Sequence, residues 1–270
     1  MFDRASWQRW RGLFDALRES DPGGWEGDVL LPWVEANAPA VAELHRIGHA
    51  DNRSVVVPRD PTHHTPLETL YVLSRVLDLL IAPPVTGDPG PVGSVRPHPG
   101  YGAFGAALGC RRIEEEEFHP FLHEIVEVLP AGDPDEPVRL VGQRWPGLFA
   151  GSMLVTRAGV MVRAGANRLV PEVAERSTLY WAWRRHHRPV LDLSHAWGSN
   201  SQWGTDFRRD YWADGRLYYN VDAGHRRPID HPELSREAAH DLLRYRCGTT
   251  VDVGRDQWIW DTGLVEPAPR

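Results

Sequence analysis

The chain has 270 residues, of which 41% are hydrophobic and 25% are charged, and its formal net charge at pH 7 is -7. These values are typical of a globular protein with a buried core and argue against collagen, coiled coil and disorder. The negative charge argues against general binding to nucleic-acid backbones, and the length allows one large domain or two smaller ones.

Lysine is absent, so all 30 residues counted as Lys or Arg are arginines. This excludes enzymes that need a lysine Schiff base, a pyridoxal-phosphate anchor or a phosphate-binding lysine. Cys110 and Cys247 are the only cysteines, too few for a disulfide framework or a four-thiolate zinc site. No secretory signal and no apolar run of roughly 20 residues is visible. We therefore expect a reduced, cytoplasmic protein without membrane segments.

Helical periodicity dominates the N-terminal part of the sequence. Asp3 can cap a first helix whose aromatic and apolar residues recur at spacings of three and four. A second helical stretch is interrupted by Pro32 and Pro39. A third helix has the clearest start, because Thr65 can cap it within a capping box. The expected core residues of the first helix are Trp7, Trp10, Phe14 and Leu17.

The sequence pattern changes from helical periodicity to loop and strand patterns after the third helix. The segment 84–100 is rich in proline and glycine, which predicts a linker or a long surface loop. Asp214-Gly215, between two alternating runs, predicts a tight hairpin. Further helices are expected over 171–187 and from Asp230 to Gly248. Strands are expected over 124–129 and 138–145, and 153–163 is expected to form two short strands around Ala158-Gly159.

These elements predict an α+β fold, with a helical N-terminal portion followed by a mainly antiparallel β-sheet with two packed helices. The helical portion covers 1–83, the linker or loop 84–100, and the α+β portion 101–270. A single domain is the alternative, because the aromatic helices can pack directly on the sheet.

An acidic, histidine-containing run at 114–124 holds the densest set of potential metal ligands. If Pro120 begins a helix, His119 and His123 lie about one turn apart and can share an ion. If the run is a strand, side chains four apart are separated by roughly 13 Å, and Glu117 with His119 is the better pair. We predict that Glu117, His119 and His123 bind a divalent metal ion of unknown identity. The alternative is a solvated run with histidines bonded to backbone groups.

A second unusual run, at 192–211, combines glycines, small polar residues, tryptophans and a histidine after a predicted strand. This composition is typical of a loop that binds a small molecule through flat apolar faces and amide groups. His195 is the candidate general base. Arg208 can bind a carboxylate or phosphate group in a bidentate manner. The predicted substrate-binding residues are Trp197, Asn200, Gln202, Trp203 and Arg208.

Two other motifs are weaker. A serine hydrolase would need Ser199 or Ser201 beside His195, because Ser194 points to the opposite face of a strand, and the chain has no G-x-S-x-G motif. Residues 100–105 match G-x-G-x-x-G, but no apolar strand precedes them, so we interpret them as a glycine-rich turn.

The sequence thus predicts a cytoplasmic, metal-dependent enzyme that acts on a small polar or aromatic metabolite by hydrolytic or lyase chemistry. The alternative is a noncatalytic module that binds a ligand or a protein partner through a Trp- and Arg-rich surface, because these residues dominate interface hot spots.

Overall fold

A computed structural model describes residues 4–49, 66–83, 95–175, 208–223, 234–252 and 262–269. Within these ranges the chain is α+β, with a helical N-terminal region followed by mostly antiparallel strands, as the sequence predicts. Thr65 and the segment 230–233, where two helix starts are expected, lie outside the described residues, as does most of the predicted helix 171–187.

The N-terminal helices follow the prolines of the sequence. Pro32 and Pro39 stand in the first turns of successive helices, where the missing N–H costs no hydrogen bond. The predicted glycine-rich turn at 100–105 is wrong, because these residues begin a helix. The elements are α1 (Arg4–Glu19), a 3-10 turn (Pro22–Gly24), a π-helix (Trp25–Leu30), α2 (Leu31–Ala36), α3 (Ala38–Ile47), α4 (Pro66–Ile81) and α5 (Gly100–Ala107).

The strands form two sheets, and their bounds are β1 (Arg111–Arg112), β2 (His123–Pro130), β3 (Arg139–Trp145), β4 (Leu148–Ala150), β5 (Met153–Thr156), β6 (Ala158–Ala164), β7 (Asp210–Ala213), β8 (Arg216–Tyr219) and β9 (Leu264–Pro267). Sheet A has the order β1-β4-β5-β7-β8-β9, and its neighbouring strands pair antiparallel. Sheet B has the order β2-β6-β3, with β2 parallel and β3 antiparallel to β6. The chain also forms two helices in this part, α6 (Pro171–Ala174) after β6 and α7 (Arg236–Tyr245) after β8.

The hairpin between β7 and β8 is confirmed. Asp214 and Gly215 both have positive φ, 53° and 67°, the backbone that a two-residue hairpin turn requires. The bounds of α7 differ from the prediction. Ser235 caps its start, where Oγ accepts a hydrogen bond from the N–H of Ala238, and Arg246, rather than Gly248, takes the left-handed conformation at its end.

The largest apolar cluster joins the N-terminal helices to sheet A. Trp10, Phe14 and Leu17 are buried as predicted, and they share this cluster with Met153 and Tyr211 of the sheet. A second cluster lies on sheet B, where Val160 and Val162 of β6 pack with Leu169 and Ala174. No helix in the described part of the chain is long and apolar enough to cross a membrane.

One of the connections between the two sheets is a single residue. β5 of sheet A ends at Thr156 and β6 of sheet B begins at Ala158, so Arg157 stands between them. The sequence predicts two short strands around Ala158-Gly159, and the structure places the break one residue earlier, at Arg157.

Candidate functional site

Arg157 lies at the junction of the sheets, and its side chain has no exposed surface. The backbone around it is held from two sides. The indole Nε1 of Trp145 donates to the carbonyl oxygen of Arg157 at 3.1 Å, and the N–H of Ala158 donates to the carbonyl of Leu122 at 2.9 Å. The backbone that carries the Arg157 side chain is therefore held in place by Trp145 of β3 and by Leu122.

Two further arginines meet Arg157 at one carboxylate. Oδ2 of Asp210 accepts hydrogen bonds from Nη2 of Arg208 at 3.0 Å and from Nη2 of Arg246 at 3.2 Å, and it lies 3.6 Å from Nη2 of Arg157. Oδ1 of Asp210 accepts from the N–H of Asn220 at 2.8 Å. We call Arg157, Arg208, Arg246 and Asp210 the arginine cluster.

Side chains alternate between the two sides of the chain around β7, and this decides which arginine pairs with which carboxylate. Arg208 and Asp210 are two residues apart, so their side chains lie on the same side and can pair. Arg209, between them, forms a bidentate pair with Asp222 instead, through Nε at 2.9 Å and Nη2 at 2.5 Å. One arginine thus has a carboxylate to itself, whereas its neighbour shares Asp210 with two others.

The end of α7 also contacts the cluster. Nη2 of Arg208 donates to the carbonyl of Leu243 at 2.8 Å, and Nη1 of Arg157 donates to the carbonyl of Arg244 at 2.5 Å. Carbonyls in the last turn of a helix have no partner within the helix and carry partial negative charge. The arginines satisfy these carbonyls and fix the end of α7 against the strands.

The cluster nevertheless carries more positive than negative charge. Three guanidinium groups share one carboxylate, which leaves a net charge of +2. Four of their nitrogen atoms are buried without a hydrogen-bond partner among the described residues: Nε of Arg157, Arg208 and Arg246, and Nη2 of Arg157. A buried donor without a partner is costly, and more so when it is charged.

Burial and the excess of positive charge shift the pKa values of the residues in the cluster. Burial, followed by the charges of Arg246 and Arg208, lowers the pKa of Arg157 to about 9. Burial also lowers the pKa of Arg208. Although burial acts to raise the pKa of Asp210, the neighbouring guanidinium groups of Arg208, Arg246 and Arg157 outweigh it and hold that pKa below its usual value. Asp210 is therefore ionised at neutral pH, and an additional anion would be attracted to the same place.

His119 and His123 stand one turn apart beside this cluster. The carbonyl of His119 accepts the N–H of His123 at 3.0 Å, and the backbone N–H of His119 donates to Nδ1 of His123 at 2.9 Å. Nδ1 of His119 accepts the N–H of Phe121 at 3.2 Å. These residues form a hydrogen-bonded turn that leads into β2 rather than a helix, but the turn gives the two histidines the one-turn spacing of the helical alternative. An imidazole whose Nδ1 accepts a hydrogen bond carries its proton on Nε2 when it is neutral.

Both histidines are held neutral. Burial lowers the pKa of His119, and the charge of Arg157 lowers it further. Burial, with His119 and Arg157 as neighbours, lowers the pKa of His123 to about 4. The ring of Phe118 stacks on His123 at 5.8 Å and on Tyr245 at 6.2 Å, which links this turn to the end of α7.

The predicted metal site gains no support from this geometry. Among the residues that the structure describes, no three His, Cys, Asp or Glu side chains are grouped so that they could hold a metal ion. Glu117 is exposed, and a neutral histidine with its proton on Nε2 has no lone pair there for a cation. Binding of a divalent ion by Glu117, His119 and His123 stays a prediction.

Of the catalytic and substrate-binding residues predicted in the run 192–211, only Arg208 is among the described residues. His195, Trp197, Asn200, Gln202 and Trp203 lie outside the described residues, and so do Ser199 and Ser201. Arg208 lies in the arginine cluster, where it is buried and paired with Asp210 rather than presented on a flat surface.

Sequence reasoning missed Arg157, Asp210 and Arg246. The available signals are weak: a single charge between two apolar runs at Arg157, and the Arg208-x-Asp210 spacing in a predicted strand. Neither signal indicates that the side chains meet, because that depends on pairing between strands distant in the sequence. Arg246 follows a helix and has no distinguishing pattern.

Comparison with known proteins returns no match: no family model matches the chain, and no curated protein or solved structure is significantly similar to it.

Proposed function

We propose that the protein binds a small molecule through an anionic group, a carboxylate or a phosphate, at the arginine cluster. The observation that carries this proposal is the gathering of three arginines around the single carboxylate of Asp210, two of them buried and Arg246 14% exposed, with an unpartnered buried donor on each of them. Guanidinium groups present pairs of N–H donors in the plane that suits carboxylate and phosphate oxygens. A ligand oxygen would satisfy these donors and offset the excess charge.

A purely structural role explains the cluster less well. The neighbouring pair of Arg209 and Asp222 shows a purely structural arrangement, with one carboxylate for one guanidinium in a bidentate geometry. Capping of α7 uses only one nitrogen each of Arg157 and Arg208. The remaining donors therefore support a role beyond helix capping.

Arg246 provides the route by which a ligand would approach. Its side chain is 14% exposed, compared with 6% for Arg208 and 0% for Arg157. It is also the residue whose replacement should disturb the fold least. This makes Arg246 the residue of choice for testing the proposal.

The experiment measures thermal stability during titration with sodium phosphate and with sodium acetate, each against sodium chloride of equal ionic strength. A ligand that binds only the folded state raises stability in a saturable way, by roughly 2.7 kcal/mol at a hundred times Kd. We expect saturation in the parent protein and its loss in an Arg246→Met variant. The matched control is Arg139→Met, which removes the same charge from a side chain that is 70% exposed.

Phosphate also stabilises proteins in general, because it is excluded from their surfaces. That effect does not saturate and does not depend on one arginine. Equal, unsaturated responses of the parent and both variants would therefore overturn the proposal.

The proposal corresponds to the ligand-binding alternative of the sequence analysis. Metal-dependent hydrolase or lyase chemistry is a separate hypothesis with its own test, the metal content of protein purified without a histidine tag. Near-stoichiometric metal in the parent, lost in a folded His119→Ala/His123→Ala variant, would restore it. Absence of metal after incubation with zinc, manganese or iron(II) would remove it.

A further inference from the structure

The charge of the arginine cluster narrows the class of ligand. Arg157, Arg208 and Arg246 contribute three positive charges and Asp210 one negative charge, so full neutralisation requires two further negative charges. A carboxylate supplies one. A phosphate monoester supplies about 1.5 to 2 at pH 7, with three strong acceptor oxygens.

The number of unpartnered N–H donors in the cluster also favours a phosphate over a carboxylate. The three guanidinium groups converge on the same Oδ2 atom of Asp210, and each has an unpartnered Nε in the plane of the Nη2 that faces this oxygen. The unpartnered Nη2 of Arg157 adds a fourth donor. Donors on three separate guanidinium planes suit oxygens arranged as a tetrahedron better than the two coplanar oxygens of a carboxylate.

The neighbouring histidines do not change the net charge of the cluster. Nδ1 of His119 and of His123 accepts a backbone N–H, so each neutral ring has its proton on Nε2 and can donate without adding charge. Arg244, in the last turn of α7 beside the cluster, is already paired with Glu266 through Nε at 2.7 Å. Neither the two histidines nor this pair therefore changes the net charge of the cluster.

Resting on the proposed function, we infer that the ligand is a small phosphate monoester whose phosphoryl dianion is held by Arg157, Arg208 and Arg246. Asp210 orients the three guanidinium groups. The rest of the ligand lies toward Arg246, the most exposed of the three arginines.

The test compares two ligands of nearly equal size, methyl phosphate and methyl sulfate, by isothermal titration calorimetry at pH 7.5 and constant ionic strength, with acetate as a third ligand. Methyl phosphate is largely a dianion at this pH and methyl sulfate is a monoanion. We expect at least tenfold tighter binding of methyl phosphate. Arg246→Met should reduce this preference by removing one positive charge, whereas Arg139→Met should preserve it.

The affinity for methyl phosphate at a lower pH provides a second test on the same protein. The second pKa of a phosphate monoester is about 6, so the dianion fraction falls about fourfold between pH 7.5 and pH 5.5. Methyl phosphate should bind about fourfold more weakly at the lower pH. Methyl sulfate keeps its charge, so a change in its affinity reports titration of groups on the protein such as His119 and His123.

The outcomes separate this inference from the proposed function. Equal affinity for acetate, methyl sulfate and methyl phosphate would overturn the phosphoryl assignment and leave an anion site in place. No saturable binding of any of the three would overturn both. A preference for methyl phosphate that Arg246→Met leaves intact would place the phosphoryl group elsewhere and overturn the assignment.

Discussion

The interior between the N-terminal helices and sheet A is filled by apolar side chains such as Trp10, Leu13 and Leu73, each without exposed surface. The interior where the end of α7 meets Arg157 and the start of β7 is filled by guanidinium groups around Asp210. In the first region, each side chain adds to the free energy of unfolding mainly through its own buried area. In the second region, the effect of each group on that free energy depends on the charge of its neighbours. The first region therefore supports the fold, and the second is suited to respond to a ligand.

The largest expected effect comes from removing the one negative charge of the cluster. Asp210→Asn leaves three guanidinium groups, two of them buried, without their shared carboxylate, and loss of one partner from a buried ion pair costs about 3 to 5 kcal/mol. Urea denaturation measures the free energy of unfolding. Phosphate at saturating concentration should recover part of the loss, because a bound anion replaces the missing charge.

Asp222→Asn is the matched control for that variant. It leaves one guanidinium, Arg209, without its carboxylate instead of three, so we expect a smaller loss and no recovery with phosphate. Equal losses with equal recovery in the two variants would contradict the distinction between the two pairs.

A similar loss of stability is expected in the apolar region, with a different signature. Leu13→Ala removes a fully buried side chain and should cost about 3 kcal/mol through lost transfer energy and the cavity that remains. Neither phosphate nor acetate should alter this loss beyond their effect on the parent protein. A loss that depends specifically on phosphate would show that the two regions are coupled.

A smaller effect is expected from pH through His123. Its folded pKa of about 4 lies below the unfolded value of 6.5, so between these values the unfolded chain binds more protons. Stability is therefore complete above pH 6.5 and falls as the pH is lowered toward 4, by on the order of 2 kcal/mol for this residue. Burial lowers the pKa of His119 too, which adds to the trend in the same direction.

The variant His123→Asn tests this assignment. The asparagine oxygen can replace Nδ1 as the acceptor for the N–H of His119, but the side chain does not titrate. Urea denaturation at pH 7 and pH 5 should show a smaller difference for the variant than for the parent. An unchanged difference would assign the pH dependence to other groups.

The smallest expected effect concerns the start of α7. Ser235→Ala removes the hydroxyl that accepts the N–H of Ala238 at 3.2 Å, a loss worth about 1 kcal/mol. The other end of this helix contacts Arg157 and Arg208, so hydrogen exchange should show faster opening of α7. Ser20→Ala, at the exposed end of α1, should change stability less.

Local patterns account for the elements that could be predicted. The spacing of Trp10, Phe14 and Leu17 indicates the buried face of α1, and Asp214-Gly215 indicates the hairpin, because each signal depends on neighbours in the sequence. The arginine cluster depends on the pairing of β5 with β7, which no local pattern specifies. Of the predicted site residues that the structure describes, which are Glu117, His119, His123 and Arg208, only Arg208 belongs to it.

The junction at Arg157 has a mechanical consequence. Because one residue joins β5 to β6, the strand directions of the two sheets are coupled without an intervening loop. A molecule held by the Arg157 side chain would restrain this corner and, through it, the relative rotation of both sheets. Amide protection in β5 and β6 should then increase together when the cluster is occupied, although the two strands belong to different hydrogen-bonded networks.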